Sequence, residues 1–466
     1  MVISFAQMSS FKDSVIKKLL FGHEPTPELM AILLVYWVQG ILGLARLAVS
    51  FFLKDELKLS PAEVSALMGI VAIPWIIKPL FGFISDGLPI LGYRRRPYLI
   101  LSGLLGVISW LSLAYYVHTA LEATIAIALS SLSVAFSDVI VDSLVVERAR
   151  KESLHNAGSL QSLTWGASAI GGLITAYFSG YLLENFGHHT VFMITAIFPL
   201  IVSGIAGLIA EESSSDRSDF NTVVHQFKQL KQAITHKSIL LPTAFVFLLQ
   251  STPSSESAFF YFTTNELKFD PEFLGRVRLV TSLASLVGIL IFQRYLKSIP
   301  FRTMFAWTTV LGSILGLTSL ILITHTNRNF GIDDHWFSIG DSLILTVMGQ
   351  IAFMPVLILA ARLCPSGIEA TLFALLMSIF NLSGLVSHEL GALLTYYLGV
   401  TETNFDNLGL LVIISNLSTL LPLIFLGWLP NENNQSQPEK KVIFASEEKE
   451  SIETPFMVEL ATVNND

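Results

Sequence analysis

This chain of 466 residues has few charged side chains and almost no cysteine. Charged residues make up 14% of it, against about 25% in an ordinary soluble domain, whereas hydrophobic residues make up 52% and the mean hydropathy is +0.62. The single cysteine, Cys364, excludes a disulfide framework and a cysteine-based metal site. The N-terminal stretch has no signal-peptide core. The composition therefore predicts an integral membrane protein, and nothing in it suggests nucleic acid as a partner.

Long apolar runs determine the predicted organisation. Twelve stretches approach the ~20 residues that cross a bilayer, at roughly 30–53, 62–84, 97–117, 121–147, 157–183, 189–210, 238–264, 272–293, 301–324, 337–361, 369–397 and 406–428. They predict an all-α membrane protein whose twelve transmembrane helices form two six-helix bundles. The predicted segments are a cytoplasmic N-terminal segment (1–29), a first bundle (30–210), a cytoplasmic linker (211–237), a second bundle (238–429) and a disordered acidic tail (430–466).

The loops between the predicted spans differ in charge. Loops on one side carry only Lys54, Lys58, Lys268 and Arg328, whereas the other side carries Arg94–Arg96 and most of the remaining lysines and arginines. Basic loops are retained in the cytoplasm. The asymmetry therefore predicts that the arginine-rich side and both termini are cytoplasmic.

A few ionisable side chains lie inside the predicted spans. They are the basic Arg46, Lys78, Arg276 and Arg278 and the acidic Asp138 and Asp142. A charge at mid-bilayer costs about 2.5–3.5 kcal/mol even on the lenient insertion scale, so each needs a partner or a water-filled cavity. One interpretation is a polar chamber between the bundles, which Pro74 would help to build by freeing a backbone carbonyl in the second span. The other is structural charge pairing, for example of Lys78 with Asp142.

Two amides and one loop add further candidates. Gln161 and Asn381 either join helices or contact substrate. The loop between spans two and three contains Gly82, Asp86 and the basic run Arg94, Arg95 and Arg96. Its side chains either hydrogen-bond the ends of neighbouring helices and latch two bundles together, or serve only as a topology signal.

The sequence disfavours an enzyme. It shows no cluster of His, Cys and Asp with metal-ligand spacing, no phosphate-binding glycine loop and no nucleophile motif. We therefore expect no catalytic residues, no metal site and no cofactor.

Several motifs resemble those of known transporters. The string Gly82-x-x-x-Asp86 followed by Gly92-x-Arg94-Arg95-Arg96 resembles the loop between spans two and three of the major facilitator superfamily, with extra residues before Gly92. Longer strings resemble the folate–biopterin transporter family over about residues 30–428. These strings are Pro74-Trp-Ile-Ile-Lys78-Pro, Ser137-Asp138-Val-Ile-Val-Asp142-Ser, Ala157-Gly-Ser-Leu-Gln161-Ser-Leu-Thr-Trp165 and Cys364-Pro365 through Asn381.

The resemblance implies the major facilitator fold and uptake of folate or pterin by alternating access of the two bundles. A carboxylate such as Asp142 or Asp138 could bind the adjacent amino and ring N–H groups of a pterin, or instead bind a coupling proton. Lys78, Arg46 or Arg278 could neutralise the carboxylates of a folate glutamate tail. Asp86 and Arg94–Arg96 would latch the cytoplasmic face without touching substrate.

Other functions stay open at this point. The arginine cluster also resembles sugar–proton symporters of the sucrose-carrier type, and a carrier of another organic anion, a channel or a transporter-like receptor are further alternatives. The expected partners are a small-molecule substrate and a possible proton, with the protein acting as a monomer. The short N-terminus favours a bacterial plasma membrane over an organelle envelope.

Overall fold

The structure, a computed structural model, describes residues 20, 23–150, 154–211, 234–296, 298–363 and 369–430. The predicted acidic tail, most of the linker and most of the N-terminal segment lie outside these ranges. Within them, the regular secondary structure is helical, apart from one isolated β-bridge between Ile90 and Tyr93.

The predicted twelve spans are all present among these residues. Ten helical stretches are long and apolar enough to cross a membrane. One of these stretches is 46 residues long and holds two of the predicted spans. A shorter apolar helix supplies the remaining span. The helices are α1 (Pro27–Glu56), α2 (Pro61–Ser85), α3 (Arg96–Tyr115), α4 (Ala120–Val145), α5 and α6 (the two parts of Leu163–Leu208), α7 (Lys237–Gln250), α8 (Pro271–Leu296), α9 (Phe301–Ile323), α10 (Asp334–Ala360), α11 (Leu372–Tyr397) and α12 (Leu408–Trp428).

Gly187 separates α5 from α6. Its φ of 74° lies in the left-handed region, which glycine enters without a steric penalty. The chain therefore turns back into the next helix without an intervening loop.

The turns α1–α2 and α7–α8 have the same construction. Residues 52–61 and 262–271 both begin with Phe, contain Glu-Leu-Lys and end in a capping residue followed by Pro. In both, a π-helical turn (Phe52–Glu56 and Phe262–Glu266) leads into a lysine with positive φ, 55° at Lys58 and 58° at Lys268. Ser60 and Asp270 then cap the next helix. The two halves of the chain thus repeat one motif, as expected of a transporter built from two related six-helix units.

The two halves contact each other at the end of the molecule that carries these turns, which we call the α1–α2 end. The hydroxyl of Tyr261 donates to the Leu59 carbonyl, and Lys54 Nζ lies 2.9 Å from Asn265 Oδ1. The rings of Phe51 and Phe260 pack edge to face at 5.4 Å.

A second contact between the halves includes a close approach of two backbones. Helices α5 and α8 cross at Gly180 and Gly275, where a Cβ atom added to Gly180 would lie 2.8 Å from the Gly275 Cα and would collide with the Pro271 carbonyl oxygen. Real Cβ atoms do not approach so closely, so only glycine fits there. This crossing brings the two backbones into direct contact.

Candidate functional site

The strongest charge cluster lies within the first half of the chain. Lys78 of α2 reaches two carboxylates of α4: its Nζ contacts Asp138 Oδ2 and lies 3.0 Å from Asp142 Oδ2. The hydroxyl of Tyr36, from α1, donates to the second oxygen of Asp142. Three helices thus meet at one charged group, in which the Asp138 side chain is 11% exposed and that of Asp142 is 44% exposed. We call these four residues the lysine–aspartate cluster.

This arrangement follows from the spacing in α4 and from a break in α2. Residues four apart share a helix face, so Asp138 and Asp142 both point toward α2. Helix α2 is interrupted at Ile77, and a new helical segment starts at Lys78. The sequence predicted the pairing of Lys78 with Asp142, but it carried no signal for the role of Tyr36.

The break in α2 also exposes a backbone acceptor. Pro79 has no N–H, so the carbonyl of Trp75, four residues earlier, loses its helical donor. The side-chain amide of Asn381 in α11 donates to this carbonyl over 3.2 Å. Asn381 therefore links the two halves at the break, at the carbonyl that Pro79 frees. The role predicted for the carbonyl that Pro74 frees stays a prediction.

Arg278 and Arg46 lie apart from the lysine–aspartate cluster. The Arg278 guanidinium reaches from α8 into the first half, where it donates to the Gly43 carbonyl at 3.3 Å and to Ser179 Oγ at 3.1 Å. It lies within electrostatic range of the exposed Arg46 on α1. Among the residues that the structure describes, neither arginine has a carboxylate within 4.0 Å. Arg276, in contrast, is exposed and pairs with Glu272 at 2.5 Å.

The arginines of the α2–α3 loop bind the end of α6. The Glu211 carboxylate accepts the backbone N–H groups of Arg94–Arg96 at 2.5–3.2 Å. A carboxylate at the start of a helix satisfies donors that have no partner within the helix. The Arg96 side chain donates to the Ile209 carbonyl, with Nε at 2.7 Å. These contacts fasten α3 to α6 within the first half.

The rest of the predicted gating motif lies at the end of α2. Arg95 Nη1 donates to Ser85 Oγ at 3.3 Å, and Gly82 faces Val139 of α4 at an ordinary contact distance. Asp86 lies in the helix, but its side chain is outside the part of the chain that the structure describes, as is the side chain of Gln161. The roles predicted for these two residues therefore stay predictions.

A cavity of about 440 Å³ lies in the second half, between the segment that follows α7 (residues 252–259) and the helices α9, α10 and α12. Its lining includes Asp341, whose carboxylate accepts the Thr318 hydroxyl at 2.5 Å, together with Ser319, Glu256 and Asn416. The sequence analysis did not single out Asp341, although an acidic residue within an apolar run was a signal for it. This cavity contains none of the predicted site residues.

Comparison with known proteins gives the chain's relationships. A model described as the BT1 family matches residues 39–446. The chain is 64% identical over 414 residues to the folate-biopterin transporter of Synechocystis sp., an alignment that covers 89% of this chain and 84% of that protein. It is 33% identical over 413 residues to folate transporter 2 of Plasmodium falciparum, with 88% and 90% covered.

Solved structures agree on the fold. The nucleoside transporter NupG matches with a TM-score of 0.63 at 14% identity, covering 86% of this chain and 98% of that one. A D-xylose–proton symporter matches with a TM-score of 0.62 at 15% identity and the same coverage. The fold is therefore the twelve-helix major facilitator fold, as the sequence predicted.

Proposed function

This chain belongs to the BT1 family, and we propose that it is a membrane transporter that carries folates or pterins by alternating access. Membership in a family of transporters also supports the expectation that it is not an enzyme. The relatives named as folate transporters support this substrate class. In the proposed cycle, the two halves rock about a central substrate site.

The lysine–aspartate cluster supports a site for the pterin ring. A pterin presents an amino group and a ring N–H side by side, which one carboxylate can accept as two parallel hydrogen bonds. Asp142 is suited to this role because its side chain is 44% exposed, whereas that of Asp138 is only 11% exposed. We propose that the ring displaces Lys78 or Tyr36 from Asp142 when it binds.

The arginine pair supports an anionic substrate. Arg46 and Arg278 have no carboxylate partner among the described residues, so a folate glutamate tail would supply the missing negative charge. Tyr36 of the cluster and Gly43, which Arg278 contacts, are two turns apart on α1, about 10 Å along the helix. This separation suits an elongated ligand with a ring at one end and carboxylates at the other.

The coupling ion and the orientation are parts of the same proposal. Asp138, paired with Lys78, is the candidate carrier of a coupling proton, because loss of its ammonium partner during the cycle would leave a buried carboxylate that needs a countercharge. We propose that the α2–α3 loop faces the cytoplasm, as its arginines indicate. The protein would act as a monomer in a bacterial plasma membrane, with both termini cytoplasmic and Arg94–Arg96 and Asp86 near the cytoplasmic gate.

The observation that carries this proposal is the partly exposed Asp142 beside a buried lysine–aspartate pair in a member of this family. The test is uptake of labelled folate by cells that cannot otherwise import it, with and without a proton uncoupler. We expect uptake that collapses with uncoupler, and loss of uptake in Asp142→Asn with normal membrane insertion.

Asp333→Asn is a matched control, since Asp333 is a surface carboxylate at the α9–α10 loop. Full uptake by Asp142→Asn would contradict the role of that carboxylate. No uptake by the unmodified protein, with protein confirmed in the membrane, would favour a sugar or another organic anion as substrate. Uptake that persists with uncoupler would exclude proton coupling and leave exchange or facilitated transport.

A further inference from the structure

Two histidines and a glutamate meet at the α1–α2 end, away from the residues of the proposed transport site. Glu56 ends the π-helical turn of α1, while His188 and His189 follow the break at Gly187. Glu56 lies 20 residues beyond Tyr36 on α1, which places it about 30 Å from the lysine–aspartate cluster along the helix. The ligand atoms of the three residues all lie within 4.8 Å of one another.

The distances in this group suit a shared ion. His188 Nε2 contacts Glu56 Oε2 directly, and His189 Nε2 lies 3.2 Å from the same oxygen. Tetrahedral zinc with bonds of about 2.0–2.1 Å holds its ligand atoms roughly 3.3 Å apart. A small opening of the contact between His188 and Glu56 therefore lets all three atoms face one ion.

The hydrogen bond of His189 supplies an independent observation. Its Nδ1 lies 2.8 Å from the Ala114 carbonyl oxygen, which can only accept, so Nδ1 carries the hydrogen. In a neutral ring, Nε2 then points its lone pair at the Glu56 carboxylate, and two acceptors at 3.2 Å repel unless a cation lies between them. A backbone carbonyl that orients a histidine in this way is the usual outer partner of a metal-binding imidazole.

Aromatic packing holds the imidazoles in place. The Phe52 ring lies 5.4 Å from the His188 ring and 6.2 Å from that of His189. The set of two imidazoles and one carboxylate suits zinc, whereas calcium and magnesium prefer oxygen ligands only. All three side chains are accessible to solvent, so an ion can reach them.

We propose that Glu56, His188 and His189 form a Zn²⁺ site in which water takes the fourth position. The ion would join the end of α1 to the start of α6 and so brace the α1–α2 end of the first half. This site does not depend on the proposed substrate. It uses none of the residues of the transport mechanism.

The test is calorimetric titration of the full-length, tag-free protein in detergent with ZnCl₂, paired with thermal unfolding. We expect one equivalent of Zn²⁺ to bind and raise the unfolding temperature, and MgCl₂ to do neither. The variants His188→Ala, His189→Ala and Glu56→Gln should each weaken Zn²⁺ binding at least 10-fold, since each removes one of three ligands.

Two control variants carry substitutions at the same end of the molecule. Glu266 is the counterpart of Glu56 in the second copy of the repeated turn, so Glu266→Gln should leave Zn²⁺ binding unchanged. His335 pairs with Asp333 outside the cluster, so His335→Ala should also have no effect. Glu56→Gln keeps the shape of the side chain, so it tests the site even where a histidine variant fails to fold.

Equal Zn²⁺ affinity of the unmodified protein and Glu56→Gln would overturn the proposal. So would the absence of Zn²⁺ binding to the unmodified protein.

Discussion

The two charged groups within the membrane-spanning part differ in how their charge is balanced. The lysine–aspartate cluster lies within one half and contains its own countercharge, with Lys78 set between two carboxylates. The pair Arg46 and Arg278 lies where α8 of the second half meets α1, and the described residues supply no carboxylate to it. The first group joins three helices without a ligand, and we propose that the second binds an anion. We therefore expect substitution of Lys78 to affect mainly the stability of the protein, and substitution of Arg278 to affect mainly transport of an anionic substrate.

The largest effect should come from removing the cation of the lysine–aspartate cluster. Lys78→Met leaves Asp138 and Asp142 next to each other without their partner, and removing one member of a buried ion pair costs about 3–5 kcal/mol. We expect a strongly lowered unfolding temperature in detergent and less protein in the membrane. Adding Asp138→Asn removes one of the two carboxylates and should restore part of the lost thermal stability. An unchanged unfolding temperature for Lys78→Met would show that the cluster does not stabilise the fold.

A smaller and more selective effect should come from removing one member of the arginine pair. Arg278→Ala removes a charged hydrogen-bond donor, a loss of about 1.5–3 kcal/mol, which corresponds to a rise of about 10- to 150-fold in KM. The rise should appear with folate but not with biopterin, which has no glutamate tail. Uptake assays in which the two labelled substrates compete measure this change in KM.

Arg276→Ala is the matched control for that experiment. Arg276 lies two residues away on α8, but it is exposed and pairs with Glu272, so its loss should not change either KM. An equal rise for folate and biopterin in Arg278→Ala would mean that Arg278 only holds the helices together.

The smallest effect should come from the uncharged link between the halves. Asn381→Ala leaves the Trp75 carbonyl without its donor, at a cost of about 1 kcal/mol. Pro79→Ala restores a backbone N–H to α2 that can reach the same carbonyl, so the cost of Asn381→Ala should shrink in that background. Thermal unfolding of the unmodified protein, the two single variants and the double variant measures the coupling between Asn381 and Pro79. The same cost in both backgrounds would exclude Pro79 as the reason for the link.

The sequence predicted the fold well because a membrane restricts the choices. Apolar runs of the required length and a one-sided distribution of arginine leave little besides a bundle of spanning helices, and the described residues contain eleven such spans and one shorter apolar helix. The repeat at residues 52–61 and 262–271 is present in the sequence but was not predicted from it. It becomes evident when the two turns are seen to have the same structure.

The site was predictable only in part. Asp138 and Asp142 share a helix face by their spacing, and pairing of Lys78 with Asp142 was one of two interpretations of the charges within the spans. Tyr36 gave no such signal, since a tyrosine in an apolar run also suits packing or the membrane interface. Contacts between distant parts of the chain depend on how helices pack, which spacing along one helix does not determine.

The metal prediction shows the same limit. His188 and Glu56 are 132 positions apart in the sequence, and neither local pattern has the spacing of a zinc motif. The expectation of no metal site was therefore drawn from local spacing alone. Titration with Zn²⁺ decides between that expectation and the proposed site.

The crossing of Gly180 with Gly275 has a kinetic consequence for the transport cycle. At the crossing itself the two backbones touch without interlocked side chains, so the helices can roll over each other there once the neighbouring hydrogen bond from Arg278 to Ser179 is broken. The activation barrier for parting the halves at this point then includes the hydrogen bonds of Arg278 and the lost dispersion contacts, which are individually weak. A bilayer-embedded carrier built this way can have a firmly closed end and still open it at a useful rate.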